Sequence, residues 1–152
     1  MEVYRIAKGS FSKELTASGS ANRWNKADQY VIYTGSSRSL ATLELVVHRN
    51  NITPAFGCRV MIVSVADEER LFTIVSQANL PEDWRGINAY SELQEIGSNW
   101  YKSNQSLLLK VPSAVISQEY NYLINTKHPD FLAKVKLVGT ENYFWDERLV
   151  WF

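Results

Sequence analysis

Glu44 is the residue whose place in the sequence most needs a reason. Leu40, Leu43, Glu44 and Val47 recur at i, i+3, i+4 and i+7, so the carboxylate falls on the core-facing stripe of a helix predicted over 38–49. A buried carboxylate is costly unless it is paired or hydrogen-bonded, which leaves two readings: a structural partner, or chemistry. Leu45 and Val46 widen the apolar arc and predict burial on more than one side. Arg23, in Asn22-Arg-Trp-Asn25, is flanked by an aromatic and amides. That setting suits a bidentate grip on phosphate or carboxylate, and also an ordinary solubilising charge. Ser113 follows Val-Pro where a strand stops, so a turn cap is the plain reading, and no Gly-x-Ser-x-Gly elbow surrounds it. Tyr33 ends a strand beside a small-residue turn, where its ring can stack on a planar ligand or fill the core. His48, one turn beyond Glu44, suits the negative end of a helix dipole, and His128 precedes Pro129 in a turn.

The elements that must hold these side chains follow from the pattern around them. Strands are predicted at Val3–Ile6, Tyr30–Tyr33, Val60–Val65, Leu107–Val111, Tyr122–Ile124 and Ala133–Val138, with Leu71–Val75 a weaker candidate. Gly9 to Asn22 is small and polar, as a loop is. Thr34-Gly-Ser-Ser37 offers a turn and a helix N-cap, while Asn50-Asn51 and Pro54 close the first helix. A second amphipathic helix spans 88–102, with Leu93, Ile96, Gly97 and Trp100 on one stripe. Strands outnumber helices and the connections are irregular, so the fold class is α+β, mostly antiparallel. Polar side chains then gather at strand ends around one acid-bearing helix, a cleft-like arrangement for a small ligand.

Composition narrows the classes. The chain has 152 residues, 45% of them hydrophobic and 21% charged, which is enough for one domain over 1–152 with a real core. Sixteen Lys and Arg balance sixteen Asp and Glu, so no global charge draws the protein to nucleic acid or an anionic membrane. The single cysteine, Cys58, cannot form an internal disulfide and reads as a small core residue; no Cys/His cluster has metal spacing. No signal peptide and no membrane-length apolar run is present, so a cytoplasmic location is expected. Trp84, Trp151 and Phe152 either cover the core or form an interface, and Val150-Trp-Phe152 is expected to be packed down or paired with another chain.

Read in order, several spellings resemble one family, the RES domain, named for its Arg, Glu and Ser. They are Ser18-Gly-Ser-Ala-Asn-Arg-Trp-Asn25, Tyr30-Val-Ile-Tyr-Thr-Gly-Ser36 and Leu40-Ala-Thr-Leu-Glu-Leu-Val-Val-His48, then Leu109-Lys-Val-Pro-Ser-Ala-Val115, Glu119-Tyr-Asn-Tyr-Leu-Ile-Asn125 and Phe144-Trp-Asp-Glu-Arg-Leu149. The resemblance runs from about Tyr4 to Leu149. It implies an ADP-ribosyltransferase-like fold and a toxin that depletes NAD by cleaving the nicotinamide–ribose bond, as a glycohydrolase or phosphorylase. Alternatives are an ADP-ribosyltransferase acting on a protein, or a non-catalytic nucleotide-binding module. The catalytic set it implies is Arg23, Tyr33, Glu44 and Ser113, with Arg23, Tyr33, Ser36, Ser113 and Asn121 touching substrate. NAD is then a substrate, no cofactor or metal is expected, and the partner is an Xre-type helix-turn-helix antitoxin that blocks the active site. A homo-oligomer is left open. One departure stands out: Ala21-Asn22 replaces the family's usual Gly-Gly before the Arg-Trp-Asn. If that turn needs a positive φ, Asn is the next best residue after Gly.

Overall fold

Apolar runs without polar alternation, such as Leu107-Leu-Leu109 and Leu123-Ile124, call for strands covered on both faces. The computed structural model, which describes residues 1–48 and 56–149, places them inside a seven-stranded sheet. The strands are β1 (Glu2–Lys8), β2 (Val31–Gly35), β3 (Cys58–Val65), β4 (Phe72–Ile74), β5 (Leu108–Pro112), β6 (Tyr120–Asn125) and β7 (Val135–Asn142). Their order is β4-β5-β6-β2-β1-β3-β7, and every neighbouring pair is antiparallel except β4 with β5. The α+β, mostly antiparallel expectation therefore holds.

Successive residues of the central strands feed different cores. Val31 and Leu123 pack with Trp24, Leu93, Trp100 and Leu109 on the side covered by helix α2 (Tyr90–Ser103). Ile32 and Ile124 pack with Val3, Val63, Leu107 and Leu108 in a second cluster. On α2 the expected stripe is in place, with Leu93, Gly97 and Trp100 buried and Ile96 packed against the same core. Trp84 is buried in that core as well, and Cys58 is a buried strand residue.

Helix α1 (Arg38–His48) starts where the sequence placed it, with the Ser37 hydroxyl accepting from the Leu40 N–H at 3.0 Å. Its apolar arc is less buried than expected. Leu40 and Ala41 are buried, but Val47 is 54% exposed, because the Glu44 and Val47 end of the stripe lines a cleft while its Leu40 end enters the core. A second correction concerns Ala133 and Lys134. They close a short helix, α3 (Phe131–Lys134), whose last N–H returns to Asp130 O at 2.9 Å, and the strand begins only at Val135. Residues 49–55 and 150–152, including Asn50-Asn51, Pro54 and the apolar C-terminal tripeptide, lie outside the described residues. No helix among the described residues is long and apolar enough to cross a membrane.

Candidate active site

The sheet is almost divided between β1 and β2. A single residue pair, Tyr4 with Gly35, joins them, whereas β1 pairs with β3 from Glu2–Ser64 to Lys8–Cys58. Where the two strands part, a cleft of about 500 Å³ opens, lined by Tyr4, Arg5 and Ile6 on one side and Tyr33, Thr34 and Gly35 on the other. Helix α1 supplies Glu44 and His48 to its wall, and β6 supplies Asn121.

Glu44 is half-buried there, and no Lys or Arg among the described residues pairs with it. Two neutral donors hold it instead. The Ser113 hydroxyl donates to Oε1 at 2.7 Å and Asn121 Nδ2 donates to the same oxygen at 2.6 Å. Among the described residues, Oε2 has no partner. Ser113 is fully buried just past β5, and its Oγ also accepts the N–H groups of Val115 and Ile116 at 3.0 and 3.1 Å. A hydroxyl has one proton and two lone pairs, so Ser113 has no hydrogen-bonding capacity left. In this arrangement its hydroxyl serves Glu44. Among the described residues, the buried Asn121 Oδ1 has no partner.

Arg23 sits on a tight turn in which Asn22 and Asn25 exchange backbone hydrogen bonds at 3.0 and 3.3 Å. Its Nη1 donates to the carbonyls of Trp84 and Arg85, both at 3.1 Å, and its guanidinium lies 4.8 Å from the centroid of the Tyr90 ring. Among the described residues nothing else accepts from this guanidinium, so Nε and Nη2 are left for a ligand. The turn itself needs no positive φ: among the described residues only Asp28 and Asn104 adopt one without being glycine. Asn22 instead accepts the Arg23 N–H on its own side chain at 2.8 Å. Tyr33 presents its ring to the cleft while its hydroxyl donates to Asn25 Oδ1 at 2.6 Å and accepts from Trp24 N at 3.1 Å. Burial pushes that hydroxyl well above the usual tyrosine range, although the Trp24 N–H pulls the other way. Ser36 is exposed and does not line the cleft, unlike Arg23, Tyr33, Glu44 and Asn121.

Three lining residues went unnoticed in the sequence: Arg5, Arg85 and Tyr90. Arg5 donates to Thr16 O at 2.8 Å, and burial lowers its pKa from the ordinary arginine value. A cation two residues after fully buried Val3 in a strand was the available signal. With Arg5, Arg23 and Arg85 against one carboxylate, the lining is positive in a chain whose net charge is zero. Among the described residues no group of three His, Cys, Asp or Glu is placed to hold a metal ion.

The family model described as the RES domain matches residues 2–146. The chain belongs to the RES domain family. Among RES relatives, a Prs ADP-ribosylating toxin of Sphingobium sp. is 33% identical over 84% of this chain and 80% of its own length. A protein named Toxin Res from Yersinia enterocolitica is 29% identical over 98% of this chain and 99% of its own. These relatives support reading the chain as a RES toxin. Its fold is similar to that of a chain in the crystal structure of the M. tuberculosis MbcT-MbcA toxin-antitoxin complex, with a TM-score of 0.71, 18% identity, and 92% and 82% of the two chains covered.

Proposed function

We propose that this RES protein is the toxin of a toxin–antitoxin pair and that its cleft binds NAD and breaks the nicotinamide–ribose bond. Nicotinamide leaves with the bonding electron pair as a neutral base, so positive charge builds on the ribose. A carboxylate fixed beside that carbon stabilises the developing cation, more strongly in a partly dry cleft than in water. Glu44 suits this role because its Oε1 is held by Ser113 and Asn121 while, among the described residues, Oε2 stays unpaired and no cation pairs with the carboxylate. That arrangement is the observation that carries the proposal. Arg23 would hold the pyrophosphate through its remaining N–H groups, with Arg5 adding positive charge, and Tyr33 would stack on nicotinamide. The natural brake would be an Xre-type antitoxin covering the cleft, and the site of action the cytoplasm.

Water as acceptor gives a glycohydrolase and phosphate a phosphorylase. Transfer to a protein side chain is the second reading, favoured by the name of the Sphingobium relative. Incubating the purified chain with NAD, with and without phosphate, and identifying products by mass spectrometry tests the proposal. Release of free nicotinamide is the expected result; intact NAD under all conditions, including with candidate protein acceptors present, would overturn it.

A further inference from the structure

Arg85 reaches the turn that follows β5, where its Nε donates to Ala114 O at 2.8 Å and its Nη2 to Val115 O at 3.3 Å. These carbonyls belong to the two peptide groups whose N–H ends, at Val115 and Ile116, donate to Ser113 Oγ. Ser113 in turn directs its only proton to Glu44 Oε1. A hydrogen-bond path thus runs from a guanidinium, through two peptide groups side by side and one hydroxyl, to a carboxylate, with every donor pointing the same way. Each link polarises the next: a cation at the carbonyl end makes the N–H a better donor, and a hydroxyl accepting two such bonds gives its own proton more strongly. No carboxylate among the described residues pairs with Arg85. The same short segment also seats Arg23, whose Nη1 donates to the carbonyls of Trp84 and Arg85.

We propose that Arg85 is a positioning residue for Glu44, acting at a distance through the 114–116 peptide groups and Ser113. Its charge and fork geometry hold the acid in place, and its backbone ties that hold to the seat of Arg23. The part played by Glu44 in turnover rests on the NAD reading above; the path itself does not.

The test uses the full chain with Arg85→Gln, which keeps an amide donor but no charge, and Arg85→Lys, which keeps the charge. In Arg85→Gln, kcat for NAD loss should fall about tenfold with KM little changed, and Arg85→Lys should recover most of it. In a Ser113→Ala background the Arg85→Gln substitution should change kcat by less than about twofold, since the path is already cut. A second readout needs no NAD: in Arg85→Gln the Val115 and Ile116 amide protons should move upfield as their bonds to Ser113 weaken. Equal losses in both backgrounds, a rise in KM alone, or unmoved amide protons would overturn the proposal. If the unsubstituted chain leaves NAD intact, the NAD reading fails, and the amide shifts alone then decide the role of Arg85.

Discussion

A carboxylate held by neutral donors is a different chemical object from one locked to a lysine. Glu44 receives two hydrogen bonds on one oxygen and, among the described residues, no counter-charge, which leaves its negative charge to act on a ligand. Tyr33 is the reverse case, a group kept neutral by its surroundings. Burial raises its pKa well above the usual value, so the unfolded chain gives up that proton first, at about pH 10. Stability should therefore fall as pH rises through that point, and Tyr33→Phe should flatten the alkaline slope in denaturant titrations. An unchanged slope would deny the burial effect. The helical spacing was enough to mark Glu44, because a charge on an apolar stripe violates a local rule. It could not show that the far end of the stripe lines a cleft, since Val47 looks the same in sequence whether it is buried or 54% exposed. Nor could it reveal that the Ser113 hydroxyl is fully committed within the protein, which depends on a turn closing around it.

Arg23 depends on helix α2, which lies far from it in sequence. Gln94 Nε2 donates to Asn22 O at 2.8 Å, Gln29 Nε2 donates to Ser98 Oγ at 2.7 Å, and Lys26 pairs with Glu95. Gly97 permits this docking, because a Cβ there would run into the Trp24 carbonyl. Gly97→Ala should cost about 1–3 kcal/mol of stability by forcing the helix off the turn, and should weaken NAD binding along with it. Thermal melts and calorimetry measure the two effects; a variant with unchanged stability and affinity would refute the packing argument. Periodicity located α1, α2 and most strands, since each buries a face of its own. Ala133 was misread as strand because a four-residue helix leaves too little sequence to show a 3.6-residue period. Gly97 was visible on the apolar stripe of α2, but the backbone that approaches it comes from residue 24 and has no local trace.

The molecule as a whole is a sheet nearly parted between β1 and β2, with its positive cleft in the gap. A net charge of zero hides that local excess, which is why composition showed no global pull toward nucleic acid but said nothing of three arginines converging. Charges lining an open cleft are screened by salt, so the Kd for NAD should rise severalfold between low salt and about 0.5 M salt. Salt-independent affinity would place the phosphates elsewhere. The most direct measurement compares the unsubstituted chain with Glu44→Gln, following nicotinamide release and NAD binding on the same samples. The account predicts that Glu44→Gln still folds and binds NAD but releases nicotinamide at least about a hundredfold more slowly. Release at the unsubstituted rate would contradict it.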